Sequence, residues 1–334
     1  MCSVIGLDRL CQAQKKVLSS FIFVSFLRRL RMSVLVVAVI FSISACTKEK
    51  PNAEFVTTFG NKGTGNGQFK YLEDFAFDKD GKILITDAVN SNVQVFKSDG
   101  TFVKAFGGRS EDPGNLKKPE GIAIDIQGNI HVADYFTGFI KKYSTEYQHL
   151  LTYSGYGSEE GQTKETEFMT IHPNGLLYVP EAGNNRVSVF DIEGNFKFAF
   201  GEKGSGYGQL NRPEAVKHNS KGNLIVSDMN NHRIQIFDKA GNFLASWGKE
   251  GTGAGEFKKP TGIAIDKQDN IYVAEIGNNR IQKFDSQGTF LYMFGTNGSG
   301  EGEFGNLHGI ALGPDGLLYV ADTANHRVQV FKVH

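Results

Sequence analysis

Along most of this chain apolar and polar residues alternate in short runs of about five, and each run is closed by glycine, asparagine or aspartate. Alternation with period two is the pattern of β-strands, and corner residues of those types supply the positive φ that tight turns require. The copy around Asp228 shows the unit. Residues 215–217 read as a first strand, A; 224–228 as B; 233–238 as C; and 243–248 as D, with polar turns between them. A longer glycine-rich link, 249–257 in this copy, leads to the next A strand.

The unit is written six times without insertion or deletion. The acid that closes strand B falls at Asp87, Asp134, Glu181, Asp228, Glu275 and Asp322, every 47 residues. An aromatic in strand C recurs in the same register at Phe96, Tyr143, Phe190, Phe237, Phe284 and Phe331. Units of this length cannot bury their apolar faces singly and must stack on one another. The two ends of the repeat region separate a ring from an open solenoid. The last copy stops after strand C, and 54–60 is a D strand with no A, B or C before it. A ring uses the orphan to complete the last copy, whereas a solenoid leaves two incomplete ends that need polar caps. The expectation is therefore an all-β fold: a six-bladed β-propeller of four-stranded antiparallel blades over residues 54–334, closed by its N-terminal strand.

Composition narrows the chemistry. The three cysteines, Cys2, Cys11 and Cys46, all precede the repeats, so the repeats hold no disulfide, no cysteine-bound zinc and no thiol nucleophile. The zero formal charge hides an asymmetry, because residues 1–45 carry six basic groups against Asp8 alone, leaving 30 basic and 35 acidic groups from Cys46 onward. Nucleic acid, which needs a positive surface, is not an expected partner.

The N-terminal stretch has the layout of an export signal. Arg28, Arg29 and Arg31 flank an apolar run at 33–44, and Ile43-Ser44-Ala45-Cys46 ends in cysteine. The run is shorter than the roughly 20 residues needed to span a bilayer. This segment resembles a bacterial lipoprotein signal, which implies lipid attachment at Cys46, a tether over 46–53 and a location in the cell envelope outside the cytoplasm. A second apolar run at 21–27 precedes the arginines, so translation is expected to start downstream of Met1.

Pro260-Thr-Gly-Ile-Ala-Ile-Asp266, Ile271-Tyr-Val-Ala-Glu275 and Asn325-His-Arg-Val-Gln-Val-Phe331 resemble the NHL repeat. The resemblance implies the propeller and leaves function open, since members include an amidating lyase domain, ligand-sensing domains, and RNA- or protein-binding domains of RING ligases. The lyase's zinc-binding histidines resemble residues just after the proline that opens strand A. Here that register holds Glu73, Glu120, Glu167, Glu214, Thr261 and His308, a single histidine among six. A metal-assisted lyase or hydrolase is thus the alternative to a ligand- or protein-binding and scaffolding module, and no Ser-His-Asp nucleophile accompanies the remaining histidines.

Antiparallel alternation puts the D-to-A and B-to-C links on one face, where the four glutamates and His308 should ring the channel mouth. Like charges gathered there require a cation or a basic ligand to offset them. The expected binding residues are Glu73, Glu120, Glu167, Glu214 and His308. A divalent cation, calcium before zinc, would draw on Glu120, Glu167, Glu214 and His308. Arg186, Arg233, Arg280 and Arg327, each five residues after a B-end acid, are expected to be structural fork donors. Asn92 and Phe139 break that register, and Tyr135, Phe136 and Phe139 form a candidate aromatic patch suited to a cationic or sugar-like ligand.

Overall fold

The computed structural model describes residues 52–334. The expected signal segment, Cys46 and nearly all of the expected tether lie outside these residues. The described chain forms six four-stranded antiparallel sheets, each a meander of A, B, C and D. In blade 4 the strands are Pro213–His218, Leu224–Asp228, Arg233–Phe237 and Phe243–Trp247, within one or two residues of the pattern expected from alternation.

Position in the blade explains the composition of each strand. Leu224–Asp228 and Arg233–Phe237 are buried at every residue, because the inner strands are sandwiched between neighbouring blades and present both faces to a core. Phe243–Trp247 lies at the outer edge, where exposed and half-buried residues mix. The A strands line the axis, each beside the A strand of the next blade.

The core is divided into six apolar clusters, one at each junction between blades. The junction between the last blade and the first is filled like the others, with Tyr319, Val328 and Val330 packed on Phe69, Phe75 and Phe96. Each such fully buried side chain contributes about 1.5–3 kcal/mol. Closure is completed by Ala53–Phe59, which pairs antiparallel with Arg327–Val333. That pairing skips Val56 opposite Phe331, just as the fourth and fifth blades skip one D residue opposite Phe237 and Phe284. The N-terminal strand is therefore the D strand of blade 6.

Two features depart from the simple repeat. The A strand of blade 3 is reduced to Thr170–Ile171. Thr166 stands where other blades have proline or leucine, Glu165 takes a φ of 50°, and Phe168 turns to the neighbouring blade instead of its own sheet. The Phe168 N–H donates to the Glu214 carbonyl at 2.9 Å, and the Val216 N–H donates to the Phe168 carbonyl at 3.0 Å. Blades 3 and 4 are thereby stitched together at the axis. Elsewhere the A strands crowd each other through glycine. A Cβ at Gly121 would lie 2.2 Å from the Glu167 carbonyl oxygen, and one at Gly309 would lie 2.0 Å from that of Glu73. Both approaches are closer than a side chain permits.

Candidate functional site at the channel mouth

Each B strand ends in a carboxylate that lashes down the glycine-rich link before it. Glu275, fully buried, accepts the Lys258 backbone N–H at 2.8 Å, Asn278 Nδ2 at 2.6 Å, Arg280 Nε at 2.6 Å and Gln282 Nε2 at 2.8 Å. Arg280 Nη2 then donates to the Gly253 and Glu256 carbonyls, at 3.0 and 2.9 Å, and its Nη1 to the Thr252 carbonyl. Asp228 with Arg233 and Asp322 with Arg327 repeat the bracket at 2.8 and 2.7 Å. Glu181 with Arg186 does so at 2.9 Å. The four arginines are structural, as their register implies.

The second ring of carboxylates is different. Glu73, Glu120, Glu167 and Glu214 converge with His308 on one cavity of about 490 Å³ at the axis. All four carboxyl groups are buried. Two residues before each of them, in a register that also steps by 47, stand Tyr71, Lys118, Glu165, Arg212, Lys259 and Asn306. This outer tier supplies the counter-charges. Lys118 Nζ meets Glu120 at 2.6 Å. The Arg212 guanidinium spans three carboxylates, with Glu165 at 3.0 Å, Glu167 at 3.1 Å and Glu214 at 2.9 Å. The stitch at Phe168 holds the last two side by side.

His308 closes the ring against blade 1. Its Nδ1 lies 2.9 Å from Glu73 Oε2, an ion contact whose direction leaves that oxygen without a hydrogen bond. Its Nε2 lies 3.1 Å from the Tyr71 hydroxyl and 3.2 Å from Asn306 Nδ2.

Protonation follows from this crowding. Burial, reinforced by Glu120 and partly offset by His308, pushes the Glu73 carboxyl up to about 7. Burial, with Glu120 and Glu214 beside it, raises Glu167 well above the carboxylate range. Burial also raises Glu214, against the pull of Arg212. For His308 burial alone would lower the value, but the Glu73 carboxylate outweighs it and the imidazole is raised. The mouth thus holds acids whose protons are kept more tightly than on a free carboxyl, beside an imidazole raised by one of them.

The donor set does not suit the expected divalent cation. Among the described residues no group of three or more His, Cys, Asp or Glu side chains is arranged to hold a metal ion. Glu120, Glu167 and Glu214 already face Lys118 and Arg212, and Glu73 faces His308, which leaves too few free oxygens for the roughly six to eight ligands a hard cation takes, although an organic cation needs only one or two acceptors.

A family profile described as a six-bladed β-propeller matches residues 78–154 and 209–285, and an NHL-repeat profile matches 304–331. The chain is an NHL-type six-bladed β-propeller. No curated protein matches it significantly in sequence. Among solved structures it is similar to a streptogramin B lyase, with a TM-score of 0.62 at 15% identity over 85% of this chain and 98% of that one. A gluconolactonase from Xanthomonas campestris gives 0.62 at 14% identity over 80% and 88%. An auxiliary nutrient binding protein from Bacteroides thetaiotaomicron gives 0.62 at 15% identity over 79% and 69%. Likeness at these identities is likeness of fold.

In this propeller the aromatic patch is divided. Tyr135 and Phe136 pack edge to face at 5.8 Å, and Lys118 Nζ sits 3.6 Å from the centre of the Tyr135 ring, so these two rings border the mouth. Phe139 opens the C strand opposite Ser154, and among the described residues it stacks on no other ring. Behind the mouth the channel holds a further acid, Asp74, buried with Oδ1 unpaired by any hydrogen bond and 3.9 Å from Lys217 Nζ. Asp74 occupies a register otherwise filled by glycine, alanine or phenylalanine, and that contrast is the sequence signal that marks it.

Proposed function

We propose that the chain is a lipid-anchored binding module outside the cytoplasm, whose mouth takes a ligand bearing an organic cation. The observation that carries this reading is the buried carboxylate ring on the 490 Å³ cavity, where Glu73 Oε2 is met by the His308 imidazole alone. Propeller packing needs no such ring, because the six apolar junctions and the B-end brackets already hold the blades. Buried like charges are costly unless a ligand offsets them. An ammonium or guanidinium group brings directional N–H donors that fit the Glu73 oxygen. Ligand screening by melting curves tests the reading. Primary amines and guanidines should raise the Tm, and Glu120→Gln with Glu167→Gln should remove the rise. A flat response across such a panel would sink it. The anchor rests on the Cys46 motif, and Cys46→Ser should release the protein from the membrane fraction; unchanged fractionation would argue against lipidation.

A lyase or hydrolase is favoured by one specific feature. Glu73, pushed up to about 7, and the raised His308 form a contacting acid–base pair in a cavity, the arrangement general acid–base catalysis uses. Structures described as a streptogramin B lyase and a gluconolactonase share the fold. Turnover of a streptogramin or a gluconolactone that disappears in His308→Ala would establish this reading, and no turnover in the parent would leave the binding module.

A further inference from the structure

The charges at the mouth are not spread evenly around the ring. The two mouth registers of blades 1 to 4 hold five carboxylates, Glu73, Glu120, Glu165, Glu167 and Glu214, against the cations Lys118 and Arg212. The same registers in blades 5 and 6 hold Lys259, Thr261, Asn306 and His308, with no carboxylate at all. Lys259 lines the cavity, is exposed, and among the described residues makes no ion pair. Its backbone is held at a φ of 55° while its N–H donates to His232 Nδ1 at 3.1 Å, so the root of this side chain is fixed at the rim. One side of the cavity therefore has an excess of acids, with Glu73 Oε2 met by the His308 imidazole alone; the other presents an ammonium that has no ion partner among the described residues.

From this juxtaposition we infer that the ligand is a small zwitterion, with its ammonium against Glu73 and Glu120 and its carboxylate against Lys259. The inference rests on the cation-binding reading and goes further by assigning the second charge. A simple amine satisfies the acid-rich side and leaves Lys259 unused. A zwitterion matches both sides, and in a partly desolvated cavity each matched charge counts for more than it does in water. A cavity of this volume admits a free amino acid or a dipeptide, whose two terminal charges lie close together. Their shared chemistry is one ammonium and one carboxylate separated by a short chain.

Titration calorimetry on the full chain at pH 7 and low salt tests the assignment. The probes are ω-amino acids from glycine to 6-aminohexanoate, each compared with the amine and the carboxylic acid of the same chain length. At the best-fitting length the amino acid should bind at least 10-fold more tightly than its amine, with the acid weakest. Lys259→Gln should reduce that advantage to about 2-fold, and Lys259→Arg should largely restore it. Lys267→Gln, on the opposite face, should change neither. Amines that bind as tightly as every amino acid would overturn the inference and leave the cation-binding reading intact. An unaltered ratio in Lys259→Gln would do the same. Failure of both amines and amino acids to bind would remove both. A dipeptide panel with blocked and unblocked termini separates the two sources, because a dipeptide ligand would bind more tightly than any single amino acid and only when both termini are unblocked.

Discussion

Two rings of buried carboxylates sit within one repeat of each other in this propeller, and they differ in how their charge is matched. The B-end acids have partners on every side: Glu275 accepts from a backbone N–H, an asparagine, an arginine and a glutamine. Glu73, Glu120, Glu167 and Glu214 are nearly as buried, yet Glu167 and Glu214 share one guanidinium with the half-buried Glu165, and Glu73 Oε2 is met by the His308 imidazole alone. Burial alone therefore does not distinguish a structural acid from one available for binding. Satisfaction does, since a matched carboxylate holds a loop in place and a crowded one is held in reserve for a ligand or a proton.

The largest effect is expected from a change that touches neither ring. Deleting residues 53–60 removes the outer strand of blade 6 and exposes the edge of Arg327–Val333, so the Tm should fall by more than about 10 °C or the protein should aggregate. A truncated chain as stable as its parent would mean that closure does not depend on this strand. Next, Arg280→Ala leaves Glu275 buried without its cation and should cost about 3–5 kcal/mol in chemical denaturation. If that loss stayed below about 1 kcal/mol, the B-end ring would not be the matched one.

The mouth should respond to pH instead. Glu73 holds its proton more tightly folded than unfolded, so its contribution is fully present below about pH 4.5 and is lost as the pH rises through about 7. The raised His308 acts in the same direction, adding stability below its unfolded value that is lost as the imidazole deprotonates. The unfolding free energy should therefore decline between about pH 4.5 and 8, with Glu73 contributing on the order of 3 kcal/mol, and Glu73→Gln should flatten the decline. A Tm that rises across this window would contradict the protonation assigned to the pair. The smallest effect has the opposite sign to the arginine deletion: Glu167→Gln relieves like-charge crowding and should raise stability by about 1 kcal/mol at pH 8, measured by urea unfolding. Destabilisation there would place Glu167 among the matched acids.

Much of this architecture is legible in the order of residues alone. The 47-residue step places the blades, and the incomplete ends imply the closing strand. Equal register is sufficient to bring Glu73, Glu120, Glu167, Glu214 and His308 to one cavity, because a ring turns positions along the chain into positions around an axis. The counter-charges are harder to read. Lys118, Arg212 and Lys259 share a register too, but they alternate with tyrosine, glutamate and asparagine and so look like ordinary loop variation. That Arg212 spans three carboxylates depends on Phe168 leaving its own sheet for that of blade 4, a choice made by tertiary contacts that alternation does not encode. Phe139 reads as part of an aromatic patch for the converse reason: proximity in sequence to Tyr135 and Phe136 does not make rings meet when a strand begins between them.

The closing strand also fixes an orientation. Every D strand runs toward the face that bears the mouth, and Ala53–Phe59 is no exception, since Phe59 leads into the link that delivers Tyr71 and Glu73 to the rim. Its first residue consequently lies at the far face. Whatever precedes Asn52 therefore joins the propeller at the face opposite the mouth, and among the described residues the opening is framed only by the links between strands.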